Sequence, residues 1–127
     1  MSADNGVYIL KTKDQYRVIH AQAIENLYWT PLKNGLHGEF IATRLVEYFG
    51  HTRYTRDFDT AMRVANAIAK DKYLEYGIVV LKIDKKWSTV LNEAKELAPK
   101  EIENLKSQSS IWETEIRDLE RILTMKS

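Results

Sequence analysis

Few side chains in this sequence are grouped in the way a reaction needs them. Asp57 with Asp59, or Glu25 with Glu75, are the carboxylate pairs that could share general acid and base work. The first pair precedes an apolar-periodic segment, where an acidic side chain caps free helix N–H groups and complements the helix dipole, so capping is the expected role. Glu75 lies near a strand start with no chemical counterpart in the sequence. His20, His37 and His51 are separated by seventeen and fourteen residues, which fits neither the zincin helix nor a zinc finger. They read as structural or surface histidines, His20 the most structural because it falls within a strand. Ser107, Ser109 and Ser110 lack a Gly-x-Ser-x-Gly elbow, and cysteine is absent. Gly35-Leu36-His37-Gly38 lacks the further glycine and the Lys-Ser or Lys-Thr of a phosphate loop. The expectation is a non-enzymatic protein with no metal site and no cofactor.

Two other constellations carry more. Arg44, Arg53, Arg56 and Arg63 interleave with Tyr48, Phe49, Tyr54 and Phe58. Arginine pairs with phosphate or carboxylate in two-point geometry, and aromatic rings stack on bases or anchor a protein interface. Arg44, Arg53, Tyr54, Arg56 and Arg63 are therefore candidate contacts for a nucleotide or nucleic acid, although Glu47, Asp57 and Asp59 dilute the field. The second constellation is apolar. Ile102, Leu105, Ser109, Trp112, Ile116, Leu119 and Leu123 recur at alternating spacings of three and four, a seam on one long helix. Such a seam is covered either by the chain's own body or by a partner or second copy. With Tyr28 and Trp29, exposed aromatics in a loop, Leu105, Trp112, Ile116, Leu119 and Leu123 form the candidate protein-binding set.

These groups must be positioned by a chain of 127 residues, the length of one domain, with 44% hydrophobic residues to build its core. Nineteen basic against eighteen acidic residues give a formal charge of +1, so no global drive toward polyanions exists. The absence of cysteine is compatible with a reducing compartment. The N-terminus has no basic region followed by an apolar stretch, and no run approaches the ~20 apolar residues that cross a bilayer. A cytoplasmic location without membrane association is expected.

Gly6–Thr12 and Tyr16–Ile24 are rich in β-branched and aromatic residues around Lys13-Asp14-Gln15, the pattern of a hairpin. Glu25–Gly38 reads as a loop, punctuated by Pro31, Asn34-Gly35 and Gly38. Glu39–Gly50 suits a short helix or a strand, and a strand centred on Val46–Arg53 is favoured. Asp57 or Asp59 caps a helix whose stripe is Ala61, Val64, Ala65 and Ile68. Tyr76–Ile83 is an almost unbroken apolar run, a core strand expected to be covered on both faces. Trp87–Lys95 begins a short amphipathic helix, and Pro99 divides it from a long helix over Lys100–Thr124.

The sum is an α+β fold: a small, mainly antiparallel sheet, one packed helix and a long C-terminal helix. Residues 1–98 form the compact body and 99–127 the C-terminal helix, part of the same domain or an assembly element. Gly6-Val7-Tyr8-Ile9-Leu10-Lys11-Thr12, Tyr16-Arg17-Val18, Ala23-Ile24-Glu25-Asn26-Leu27-Tyr28, and Phe58 and Ala61 followed by Glu75-Tyr76-Gly77-Ile78 resemble small bacteriophage-encoded accessory proteins. The resemblance covers about the first two-thirds of the chain and implies binding and inhibition of host machinery, including antiviral defence, in the host cytoplasm. It transfers no functional residue. The expected function is a protein-binding modulator acting on a host or defence protein, with a homo-oligomer through the C-terminal helix as a further possibility. A small nucleic-acid- or nucleotide-binding protein is the alternative.

Overall fold

The computed structural model describes residues 5–22, 41–108 and 112–126. The chain divides into two compact units, Met1–Glu25 with His51–Trp87, and Asn26–Gly50 with Ser88–Ser127. The fold is α+β, with a four-stranded mixed sheet in the first unit.

The sheet unit begins with β1 (Asn5–Lys11) and β2 (Tyr16–Gln22), the expected antiparallel hairpin, in register from Asn5↔Gln22 to Lys11↔Tyr16. Thr12 and Gln15 close its turn. The Thr12 N–H donates to the Gln15 carbonyl at 3.0 Å, and the Gln15 N–H donates to the Thr12 hydroxyl at 3.2 Å. A two-residue strand, β3 (Tyr54–Thr55), pairs antiparallel with β2. The strand β4 (Ile78–Lys82) pairs parallel with β1, giving the order β3-β2-β1-β4. Two of the three pairings are antiparallel, as expected.

Between the two end strands runs α2 (Phe58–Ala69). It packs on the face that carries Val7 and Ile9, and Ala61 and Ala65 bring its backbone close because they have almost no side chain to interpose. Tyr16, Val18, Met62, Ile68 and Ile78 complete this core. Asp57, and not Asp59, is the cap. Val64 departs from the expected buried stripe: it is 44% exposed, because the sheet-facing side of α2 is supplied by Ala61, Ala65 and Ile68 with Met62 and Ala69. The opposite face of the sheet carries Tyr8, Leu10 and Leu81, all buried.

The β4 segment corrects a second expectation. Among the described residues it is an end strand, in which only Leu81 is buried and Val80 is exposed, and not a core strand covered on both faces. The apolar run was a poor guide because end strands lack a neighbour on one side while still carrying half-buried residues on both faces.

The helical unit contains α1 (Ala42–Phe49), most of α3 (Trp87–Ser107) and α4 (Glu113–Thr124). Where a strand was favoured over Val46–Arg53, α1 forms instead. Ala42, Leu45, Val46 and Phe49 fall on one face at helical spacing and are all buried, whereas a two-residue alternation would split them between faces. This helix packs against α4.

The expected division at Pro99 does not occur either. The helix α3 runs through Pro99, and the 98/99 boundary falls inside it. Val90, Leu91, Ala94, Ala98 and Ile102 make one buried stripe across the proline, whose own ring is exposed. Burial along that stripe outweighs one lost backbone hydrogen bond. The chain instead leaves the helix after Ser107, where the Gln108 N–H turns back to the Leu105 carbonyl at 3.2 Å. A new helix starts at Glu113, with Glu113 and Glu115 in its first turn, where negative charge is favoured. Where one helix was expected over Lys100–Thr124, the described residues form two, α3 and α4, which share the seam from Ile102 to Leu123 between them.

Candidate functional site

The sheet unit holds an open cleft of about 290 Å³ between β3 and the first half of α2. Tyr16, Val18, Ala61 and Val64 give it apolar walls, Tyr54 and Arg53 stand at the β3 side, and Thr52, Thr55 and Thr60 also line it. Phe58 lies beside it, its ring 5.6 Å from that of Tyr16, and is itself 42% exposed. Tyr54 is 51% exposed. The cleft borders an end strand only two residues long, whose outer side has no strand partner among the described residues.

Both walls are held by hydrogen bonds. On the α2 side, Asp57 accepts from the Thr60 N–H at 2.9 Å and from its hydroxyl at 2.6 Å. These bonds hold the Asp57 carboxyl below the usual carboxylate range. Arg63 donates to the Thr60 hydroxyl at 3.2 Å, so it braces this first turn. On the β3 side, Arg17 is the organiser. It is 8% exposed, donates from Nε to Gln15 Oε1 at 2.6 Å and from Nη1 to the Thr52 carbonyl at 2.8 Å. Its guanidinium lies 4.0 Å from the Trp87 ring centroid and 5.6 Å from that of Tyr54. Burial lowers its pKa, while Tyr54 and Asp14 act in the opposite direction; a guanidinium remains charged throughout. By gripping the Thr52 carbonyl and the Tyr54 ring, Arg17 positions the strand that lines the cleft.

Asp14 completes the frame. It accepts from the N–H of Trp87, the first residue of α3, at 3.0 Å and from the Thr12 hydroxyl at 3.0 Å. Burial pulls its carboxyl up, but the bonds from Trp87, Thr12 and neighbouring groups outweigh this and hold it below its ordinary value.

The arginine and aromatic cluster is brought together only in part. Arg53 and Tyr54 line the cleft, Arg56 is exposed close by in sequence, and Arg63 is spent on Thr60. Arg44 belongs to the helical unit, where it pairs with Glu47 at 3.1 Å. Tyr48 and Phe49 are in that unit as well, the latter fully buried. Of the terminal seam, Leu105, Trp112 and Ile116 are half-buried, Leu119 is buried and Leu123 is exposed. Ile122, absent from the expected seam, is the other buried residue of α4. Tyr28, Trp29, His37, Glu25, Ser109 and Ser110 lie outside the described residues. His20 is exposed and 3.2 Å from the Asn5 amide nitrogen, and His51 is exposed. Among the described residues, no group of three or more histidine or acidic side chains is arranged to hold a metal ion.

Sequence reasoning missed Arg17, Trp87, Thr52 and Val64. Arg17 carried one signal: a cation alternating with Tyr16 and Val18 in a strand points to the face opposite theirs, where a buried charge must find partners. The Trp87 and Thr52 contacts had none, since both join residues far apart in the chain. No family model matches this chain, and neither a curated protein nor a solved structure does.

Proposed function

We propose that the protein is a non-enzymatic protein-binding modulator that engages its partner at the cleft between β3 and α2. The observation that carries this reading is the grouping of exposed Tyr54, Phe58 and Val64 around an apolar-walled opening beside a short end strand. Exposed aromatics flanking a preformed groove are the anchors from which interfaces draw most of their affinity. An extended segment of the partner fits this edge, with backbone bonds to β3 and alternate side chains in the cleft. The resemblance to phage accessory proteins supplies the context, a host or defence protein met in the cytoplasm. No helix among the described residues is long and apolar enough to cross a membrane. Self-association through Leu105 and Leu123 is a secondary proposal, limited by the separation of the seam into two helices.

A second reading uses the same cleft. Arg53 and Tyr54 share it, so a nucleotide could place its base on Tyr54 and its phosphate on Arg53. Selection of a displayed peptide library on the immobilised protein separates the two. Peptides with alternating apolar positions are expected, with binding lost in Val64→Asp and melting temperature unchanged because Val64 is exposed. Selected peptides that bind Val64→Asp and Phe58→Ser at full strength would remove the cleft from the function. Competition of such peptides by a nucleoside triphosphate would favour the second reading.

A further inference from the structure

The parallel pairing of β1 with β4 assembles a basic surface from two segments far apart in the chain, residues 11–14 and 82–86. Lys11 stands directly opposite Lys82, and the Lys13 N–H donates to the Lys85 carbonyl at 2.9 Å, which joins the hairpin turn to the turn that follows β4. Lys11, Lys13, Lys82, Lys85 and Lys86 are all exposed. The same two segments carry two aspartates, Asp14 and Asp84, both occupied. Asp14 is held by Trp87 and Thr12, and Asp84 lies 3.6 Å from Lys13. Like charges directly opposite on neighbouring strands, about 4.8 Å apart, oppose pairing. Neither Lys11 nor Lys82 has an acidic partner among the described residues, and Lys11 has only the Tyr16 ring, at 6.0 Å from Nζ.

We propose that this end of the sheet is a binding surface for the phosphate backbone of nucleic acid. Setting Lys11 beside Lys82 adds like-charge repulsion to the β1–β4 pairing, and a bound polyanion would relieve it. Lysine presents a mobile point charge with no two-point geometry, which suits phosphates without reading base sequence. A bilayer fits less well. The only apolar residue within residues 11–14 and 82–86 is Ile83, half-buried, so no side chain is available to wedge into lipid. A protein interface would also want an anchor that the patch lacks. The near-neutral formal charge of the whole chain hides this surface, because the lysines converge only through the β1–β4 register. The inference is independent of the cleft and its partner.

The test is fluorescence anisotropy with labelled oligothymidylate and with its duplex, across a salt titration. Wild type should bind at low salt and weaken steeply as salt rises. The triple variant Lys11→Gln, Lys82→Gln, Lys86→Gln should lower the slope of log K against log salt by about 2, at about 0.7 per phosphate contact on a single strand. Arg117→Gln on α4, an exposed charge of the same sign, should leave it unchanged. Circular dichroism melting should show the triple variant as stable as wild type or more so, since a like-charge pair is gone. If the triple variant fails to fold, Lys82→Gln alone should lower the slope by about 0.7. No binding at low salt, or an unchanged slope in a folded variant, overturns the proposal. So does lysine-dependent binding to phosphatidylserine vesicles by a protein that ignores both oligonucleotides.

Discussion

In the sheet unit, Asp14, Arg17 and Asp57 each find hydrogen-bond partners, and several of those partners are backbone groups. In the helical unit, Thr43 Oγ1, Glu101 Oε2 and Trp112 Nε1 are buried without a hydrogen-bond partner among the described residues. Burial pushes the Glu47 carboxyl up, Arg44 opposes this, and Asp118 and Glu101 add to it. The difference shows what each unit is held by. Leu45, Val46, Phe49, Val90, Leu91, Leu119 and Ile122 are at most 1% exposed, and each fully buried side chain of this kind contributes roughly 1.5–3 kcal/mol. That total exceeds the roughly 1–3 kcal/mol lost at each unsatisfied polar atom. Apolar packing lets the helical unit tolerate unfinished polar chemistry. The sheet unit uses polar side chains to fix a turn and an end strand, and it is there that the cleft is built.

The sharpest way to break this contrast is Pro99→Ala. If α3 carries an uncompensated proline only because its stripe is well buried, restoring the N–H should stabilise the protein by about 3 kcal/mol in urea unfolding. Destabilisation would mean that Pro99 shapes the helix. Arg17→Met is the converse in the sheet unit. It removes the Arg17 bonds to the Thr52 carbonyl and to Gln15 Oε1 and should cost about 1–3 kcal/mol, with Tyr54 more exposed to fluorescence quenching. A neutral result would make the guanidinium a passenger. Trp112→Phe removes an indole N–H that has no acceptor among the described residues, so its expected effect lies between zero and about 1 kcal/mol of stabilisation.

The smallest effect is in pH dependence, where the two units have opposite signs. Asp14 and Asp57 have native pKa values below the unfolded one, so their stabilisation is present above about 3.8 and is lost as pH falls through the native values. Glu47 has a raised native pKa. Its contribution is full below about 4.5 and declines as pH rises through the native value. Hydrogen exchange across this range should show amides of the sheet unit losing protection in acid and those around α1 gaining it. Glu47→Gln should flatten only the second trend; a variant that preserves it would remove Glu47 as its source.

The hairpin, the α2 cap and the α+β class were legible because each is written in neighbouring residues: period-two alternation around Lys13-Asp14-Gln15, and an aspartate three positions before Thr60. The failures share one cause. Arg44–Gly50 is short enough for both periods to fit, Tyr76–Ile83 is apolar whether central or at an end, and Pro99 breaks a helix only when the burial beyond it is weak. The break after Ser107 did leave a trace in serines followed by Glu113 and Glu115, but the apolar spacing across it was stronger. At the candidate site, Tyr54 and Arg53 were readable as a pair because they are adjacent in the chain. Val64 was not, because its side of α2 depends on where the sheet lies.

The sequence by itself determined the local elements whose hydrogen bonds and apolar periods close within a few residues, and the absence of a local catalytic or phosphate-loop motif. Tertiary structure alone decided that β4 pairs with β1, that Lys11 meets Lys82, and that Arg17 reaches Thr52 and Trp87. Those outcomes depend on strand order and register. Order and register are set by how much apolar area the whole sheet buries and how few polar groups it leaves unpaired, and no window of neighbouring residues contains that balance.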